Sequence, residues 1–174
     1  MNLQIYFIVV PTSRIKKTVF IAVFQVDKEG KTVIPFKFDY AGSFFEGLAP
    51  VTLNNKYGFI DKKGNLVIPF KYDRADGFRE GLSSVELGSK WGYVDRNGKE
   101  VIPIKYESVD YWNFSEGLSA VQLNGNWGYI NKKDKVIIPL KYESAKSFRN
   151  GLAEVKLNGK TGYVDKNGNE YFRK

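Results

Sequence analysis

The sequence predicts an all-β protein, a tandem array of five units of about 34 residues, each a short three-stranded antiparallel meander. Three recurring steps carry this reading. Ile-Pro occurs at Ile34-Pro35, Ile68-Pro69, Ile102-Pro103 and Ile138-Pro139, at spacings of 34, 34 and 36 residues. Gly-Leu occurs at Gly47-Leu48, Gly81-Leu82, Gly117-Leu118 and Gly151-Leu152, at spacings of 34, 36 and 34. An aromatic-Gly step stands at Tyr57-Gly58, Trp91-Gly92 and Trp127-Gly128, with Thr161-Gly162 as a degenerate fourth copy. Several anchors holding one period through the chain leave little room for chance.

The chain opens on an apolar stretch, Met1 to Val10, read as a β-strand that ends in a turn at Pro11 to Ser13. No basic residue precedes it, Arg14, Lys16 and Lys17 follow it, and no small-residue cleavage signature is evident. That pattern favours a cytoplasmic strand over a secretory leader. No run reaches the roughly 18 apolar residues of a membrane span.

One unit is read from Gly81 to Pro103. Val85 and Leu87 alternate with Ser84 and Glu86, the period of two expected of a half-buried strand. A two-residue turn follows, Gly88-Ser89 here and Asn54-Asn55, Asn124-Gly125 and Asn158-Gly159 in the other copies. Asn and Gly tolerate the positive φ of primed turns, which match the twist of the flanking strands. The next strand, Trp91 to Val94, places Trp91 and Tyr93 on one face and Val94 on the other. The turn Asp95 to Gly98, matched by Asp61 to Gly64 and Asp165 to Gly168, offers a carboxylate to backbone amides and a glycine for the left-handed closing position. The third strand, Glu100 to Ile102, is expected to stop at Pro103, which lacks an N–H.

The end copies depart from the pattern as capping units do. The first keeps Asp27 to Gly30 but has Val23-Phe24 at the aromatic-Gly position, and the last puts Tyr171-Phe172-Arg173 where Val-Ile-Pro is expected. The organisation read from this is a single repeat domain over 1–174. It comprises a degenerate N-terminal cap and first unit (1–47), full units at 48–81, 82–117 and 118–151, and a capping unit at 152–174. The array is either an open twisted stack or a small propeller-like ring, closed by Leu3 to Val10 completing the last unit.

The string Lys90-Trp91-Gly92-Tyr93-Val94-Asp95, then Gly98, Val101-Ile102-Pro103, Tyr106 and Gly117-Leu118, resembles the WG-repeat family of bacterial β-repeat proteins. The resemblance runs from about Asp27 to Asn169. It implies a bacterial or phage-like origin and a non-catalytic binding or scaffolding role, and it carries over no catalytic residue. Tyr57 and Thr161 stand in place of the Trp, and Asn131 with Asp134 replaces the Asp and Gly of the second turn.

Composition narrows the chemistry. The chain has no Cys and no His, which removes disulfides, thiolate nucleophiles, Ser-His-Asp catalysis and His- or Cys-ligated metals. No cofactor motif is present. The Asp-x-x-Gly turns bear one carboxylate each and are rich in Lys, unlike a calcium loop. Glu46, Glu80 and Glu116 recur one per unit, which suits a structural hydrogen bond better than the paired carboxylates of a hydrolase. Lys37, Lys71, Lys105 and Lys141 form a ladder, each followed two residues on by Asp39, Asp73, Glu107 or Glu143, and ion pairs of these acids along the stack are expected to neutralise it.

The link from Glu107 to Glu116 is two residues longer than its counterparts, and aligning Phe114 with Phe78 and Phe148 puts the extra length at Tyr111-Trp112. Aromatics at an inserted tip are candidate binding anchors, and Glu107, Asp110 and Glu116 lie beside them. The leading expectation is therefore a non-enzymatic module binding a protein or glycan partner through variable loops. The net charge of +8 raises the alternative of nucleic acid. The basic residues concentrate in the fourth unit at Lys132, Lys133 and Lys135 rather than along several units, so that reading ranks second. A carboxylate-based hydrolase ranks last.

Overall fold

The computed structural model describes residues 38–173 in full and, before them, the backbone of three strands. These are β1 (Ile5–Val9), β2 (Ile21–Val26) and β3 (Thr32–Ile34), which form an antiparallel sheet of order β1-β2-β3. The expected turns at Pro11 to Ser13 and Asp27 to Gly30, together with Pro35 and Lys37, lie outside the described residues.

Four sheets of four strands follow in chain order. The first holds β4 (Tyr40–Ala41), β5 (Leu48–Leu53), β6 (Lys56–Asp61) and β7 (Leu66–Tyr72). The second holds β8 (Arg74–Ala75), β9 (Leu82–Leu87), β10 (Lys90–Asp95) and β11 (Glu100–Tyr106). The third holds β12 (Ser108–Val109), β13 (Leu118–Leu123), β14 (Asn126–Asn131) and β15 (Val136–Tyr142). The fourth holds β16 (Ser144–Ala145), β17 (Leu152–Leu157), β18 (Lys160–Asp165) and β19 (Glu170–Phe172). To the expected three-stranded meander each sheet thus adds a two-residue strand from the preceding link.

The array is open. Closure through the opening strand does not occur, because β1 pairs with β2, Phe7 facing Val23, within its own end sheet rather than with the last unit.

The turn chemistry acts as the residue types dictate. Asn54 and Asn55 (φ 52° and 60°), Gly88 and Ser89 (60° and 62°) and Asn124 and Gly125 (52° and 75°) have two successive left-handed residues, the signature of type I′ hairpins. Asp95 Oδ1 accepts the amides of Asn97 and Lys99, both at 2.9 Å, while Gly98 closes the turn at φ 80°. Asn131 does the same for Lys133 and Lys135, and Asp134 takes the left-handed position at φ 61° in place of glycine.

Two expectations are corrected. β11 does not stop at Pro103 but runs on to Tyr106, with Tyr93 facing Ile102 and Trp91 facing Tyr106. The four-residue step on β11 against two on β10 is a bulge on an edge strand, and a proline fits there because no ladder partner needs its N–H. Nor are the central strands half-buried. Gly92, Tyr93 and Val94 are all buried, as are Leu82, Ser83, Ser84 and Val85. Each interior sheet is covered on both faces: Val94 packs with Phe59 and Ile68 of the sheet before, and Tyr93 packs with Phe114 and Val121 of the sheet after. Serine is small enough for the space between sheets, and the hydroxyls of Ser83 and Ser84 donate to the Asp76 carbonyl and carboxylate, both at 2.7 Å. Burial holds the Asp76 carboxyl above the usual carboxylate range, with the Ser84 hydrogen bond opposing it.

Edge-on aromatic pairs join consecutive units. Phe59 meets Phe78, Tyr93 meets Phe114 and Tyr129 meets Phe148, with ring centroids 5.0, 5.0 and 4.8 Å apart. Carboxylates stitch the units as well. Glu46, Glu80 and Glu116 accept the amides of Gly81, Gly117 and Gly151, each about one unit ahead. Lys132 and Lys166, further along again, ion-pair with Glu80 and Glu116 at 3.0 and 3.6 Å.

Candidate binding site

The inserted residues are held from below. Asp110 accepts the Trp112 amide at 3.1 Å and the Ser147 hydroxyl from the next link. Its carbonyl takes the Asn113 amide at 3.0 Å, closing a tight turn over Tyr111 and Trp112. Asn113, left-handed at φ 55°, is buried, donating Nδ2 to the Gly77 carbonyl at 2.9 Å and accepting the Ser84 amide at 3.3 Å. Phe114 then drops into the core against Tyr93. With both ends pinned, Tyr111 is left 72% exposed and Trp112 40% exposed, their rings edge-on at 5.7 Å.

Trp112 carries the guanidinium of Arg79 at 4.3 Å from its ring centroid and that of Arg149 at 5.6 Å. Arg79 also stacks on Phe45 at 5.1 Å, so ring and cation alternate across four links. Phe45, Arg79, Ser115 and Arg149 occupy one repeat position, the residue two before each Gly-Leu step. The scaffold lets that position vary while its neighbours repeat, and this variation is the signal by which sequence reasoning could have found the arginines.

A groove of about 680 Å³ opens beside the insertion, between Tyr111 and Trp112 on one side and the outer face of the last sheet on the other. Leu152, Glu154 and Tyr163 supply that face, with Lys146, Arg149 and Asn150 between. Interior units bury the matching positions: Phe59, Tyr93 and Tyr129 are 0% exposed, whereas Tyr163 is 48% exposed. The groove is therefore the surface that every interior unit hides beneath its successor. Lys146 pairs with Glu154 across it at 2.8 Å, and that bond raises the Lys146 amine above the ordinary lysine range.

The acids expected beside the aromatics have partners within the scaffold. Glu107 accepts the hairpin amides of Asn124 and Gly125 at 3.1 and 2.8 Å, and Glu116 holds Gly151 and Lys166. Asp110 is the one that lines the groove. Two lysines of the ladder pair along the stack, but with acids other than the matched ones. Lys105 pairs with Asp134 and Lys141 with Glu170, while Asp39, Asp73, Glu107 and Glu143 cap the amides of their own hairpin turns. Side chains two apart on a strand share a face, but the turn amides offer a carboxylate a better-directed bond.

In the basic fourth unit, Lys132 is drawn to Glu80, leaving Lys133 and Lys135 exposed on one turn. Two free cations on a single turn give only weak, strongly salt-sensitive attraction to nucleic acid. Changing Lys132, Lys133 and Lys135 to Glu is expected to remove whatever binding a gel-shift titration detects. DNA binding tighter than about 1 µM at physiological salt would reinstate that surface. Among the described residues, no three carboxylates gather where they could hold a metal ion, and no helix is long and apolar enough to cross a membrane.

Comparison with known proteins places the repeat. The family model described as "WG containing repeat" matches four consecutive stretches, residues 26–57, 57–91, 91–127 and 127–160. No curated protein matches the sequence. Among solved structures, a plant lectin with two metal-binding sites from Cicer arietinum aligns at 9% identity and a TM-score of 0.31, over 72% of this chain and 86% of the lectin. That score is below the level of a shared topology, and nothing about the lectin bears on this chain. Four contiguous matches, each beginning or ending at an aromatic-Gly step of the observed sheets, make the chain a member of the WG containing repeat family.

Proposed function

We propose that the chain is a non-catalytic binding module, one repeat domain over 1–174, whose protein or glycan partner seats in the groove between the Tyr111-Trp112 insertion and the outer face of the last sheet. The observation that carries this is the exposure of two aromatic rings on a turn whose ends are pinned by Asp110 and Asn113. Rings held in place lose little conformational freedom on binding, so most of their contact area counts toward affinity. Groove volume and lining, apolar rings beside a few paired polar groups, lie in the range of ligand sites.

Changing Tyr111 and Trp112 together to Ala removes the rings and their arginine contacts but no core. The expected cost is about 1 kcal/mol of stability, a shift of a few degrees in melting temperature, from the exposed cation–π contacts alone. Affinity for the partner is expected to fall by about 2 kcal/mol or more. The check is retention from extracts of the source organism on immobilised wild-type and double-variant protein, beside thermal melts of both. Equal retention of every species by the two proteins would show that the partner binds elsewhere.

A further inference from the structure

We infer that the groove takes an acidic saccharide, a chain whose carboxylate or sulfate seats beside Arg79 and Arg149 while its sugar rings lie along Tyr111 and Tyr163. This rests on the binding reading above and names the chemistry of the ligand.

The charge carries the first step. Arg79 and Arg149 form no ion pair among the described residues, whereas the nearby Lys132, Lys146 and Lys166 each have a carboxylate. Both guanidiniums approach the same indole, at 4.3 and 5.6 Å from its centroid, so an anion beside that ring is attracted by two positive charges. A pocket of about 190 Å³ opens between them, with Ser115 and Ser147 in its wall. The planar, multi-donor guanidinium suits the oxygens of a carboxylate or sulfate.

The aromatic surface carries the second step. The anion pocket and the larger groove share Trp112, Ser147 and Arg149, so a ligand anchored by charge in one extends naturally into the other. The groove is lined by the rings of Tyr111, Trp112 and Tyr163, interrupted by the Lys146–Glu154 pair and the Asn150 amide. A pyranose has the matching pattern, an apolar C–H face for a ring and a rim of hydroxyls for paired donors and acceptors.

The test is an array of uronate and sulfated oligosaccharides printed beside their neutral counterparts, the methyl esters and desulfated forms, with oligoglutamate as a peptide polyanion. At least one acidic glycan is expected to bind tenfold or more tighter than its neutral counterpart. Changing Arg79 and Arg149 to Gln is expected to abolish that preference while leaving the melting temperature within a few degrees. Changing Tyr111 and Trp112 to Ala is expected to weaken acidic and neutral forms together. Equal binding of acidic and neutral forms overturns the charge assignment and leaves the groove reading standing. Binding of oligoglutamate alone overturns the saccharide class in favour of an acidic protein segment. Binding of no probe overturns this inference entirely, and the retention experiment then decides the groove reading by itself.

Discussion

Gly92→Val is expected to destabilise the fold by about 3 kcal/mol, read as a lowered urea midpoint. A β-carbon at Gly92 would lie 2.7 Å from the carbonyl oxygen of Ile102 and 2.8 Å from the backbone of Ile104. Those atoms belong to the bulged stretch of β11, and a backbone cannot swing aside as a side chain can. Gly58 and Gly128 meet the same crowding, 2.6 Å from the Ile68 oxygen and 2.7 Å from the Ile138 oxygen. The glycine of the aromatic-Gly step is thus required by the proline bulge that crosses over it, not by a left-handed backbone. The two signature steps of the repeat, aromatic-Gly and Ile-Pro, are halves of one contact. A midpoint equal to wild type would mean that β11 does not press on Gly92.

Phe114→Ala is expected to cost more still, about 3–5 kcal/mol, because it empties a fully buried site beside Tyr93 and leaves a cavity between two sheets. For a chain of this size that corresponds to a fall of roughly 10 °C in melting temperature. Phe114 stands two residues from Trp112, so the comparison with the Tyr111, Trp112 double variant is sharp. One large ring removed from the core is expected to harm stability several times more than two removed from the loop tip. A calorimetric scan of both variants checks it. The opposite order would move the boundary of the insertion and bring the tip into the core.

The parts of the fold that were legible in the sequence are those set by local chemistry. Asn-Gly and Asn-Asn demand primed turns, Asp-x-x-Gly builds a carboxylate-capped turn, and a fixed spacing of such turns implies repeated hairpins. What escaped was set by contacts across units. Two-residue strands such as β8 are too short to show a period. Ser84 reads as solvent-facing until the Asp76 carboxylate and a second covering sheet are in place. Pro103 reads as a terminator unless the bulge on its edge strand is known.

The candidate site divides the same way. Tyr111 and Trp112 emerge from counting residues between anchors. Arg79 and Arg149 sit 33 residues before and 37 after Trp112 in the chain, and only the stacking of units brings them to its ring. The acids beside the insertion in sequence are largely turned to the scaffold, because backbone amides of turns and of the next unit compete for them.

The glutamate stitching bears on how the array comes apart. In an ideal solenoid each repeat touches only its neighbours, so the ends can fray one repeat at a time. Here each junction is also bridged by a carboxylate: Glu80 holds both Gly117 and Lys132 of the following sheet, and Glu116 likewise holds Gly151 and Lys166. A front between melted and ordered chain must therefore break these two-pronged carboxylate bridges as well as the apolar contact between neighbouring sheets. Such a front is costly, and the repeats from Tyr40 onward are favoured to open together rather than peel from the end. A groove whose walls come from different sheets keeps its shape only in an array that behaves in this way.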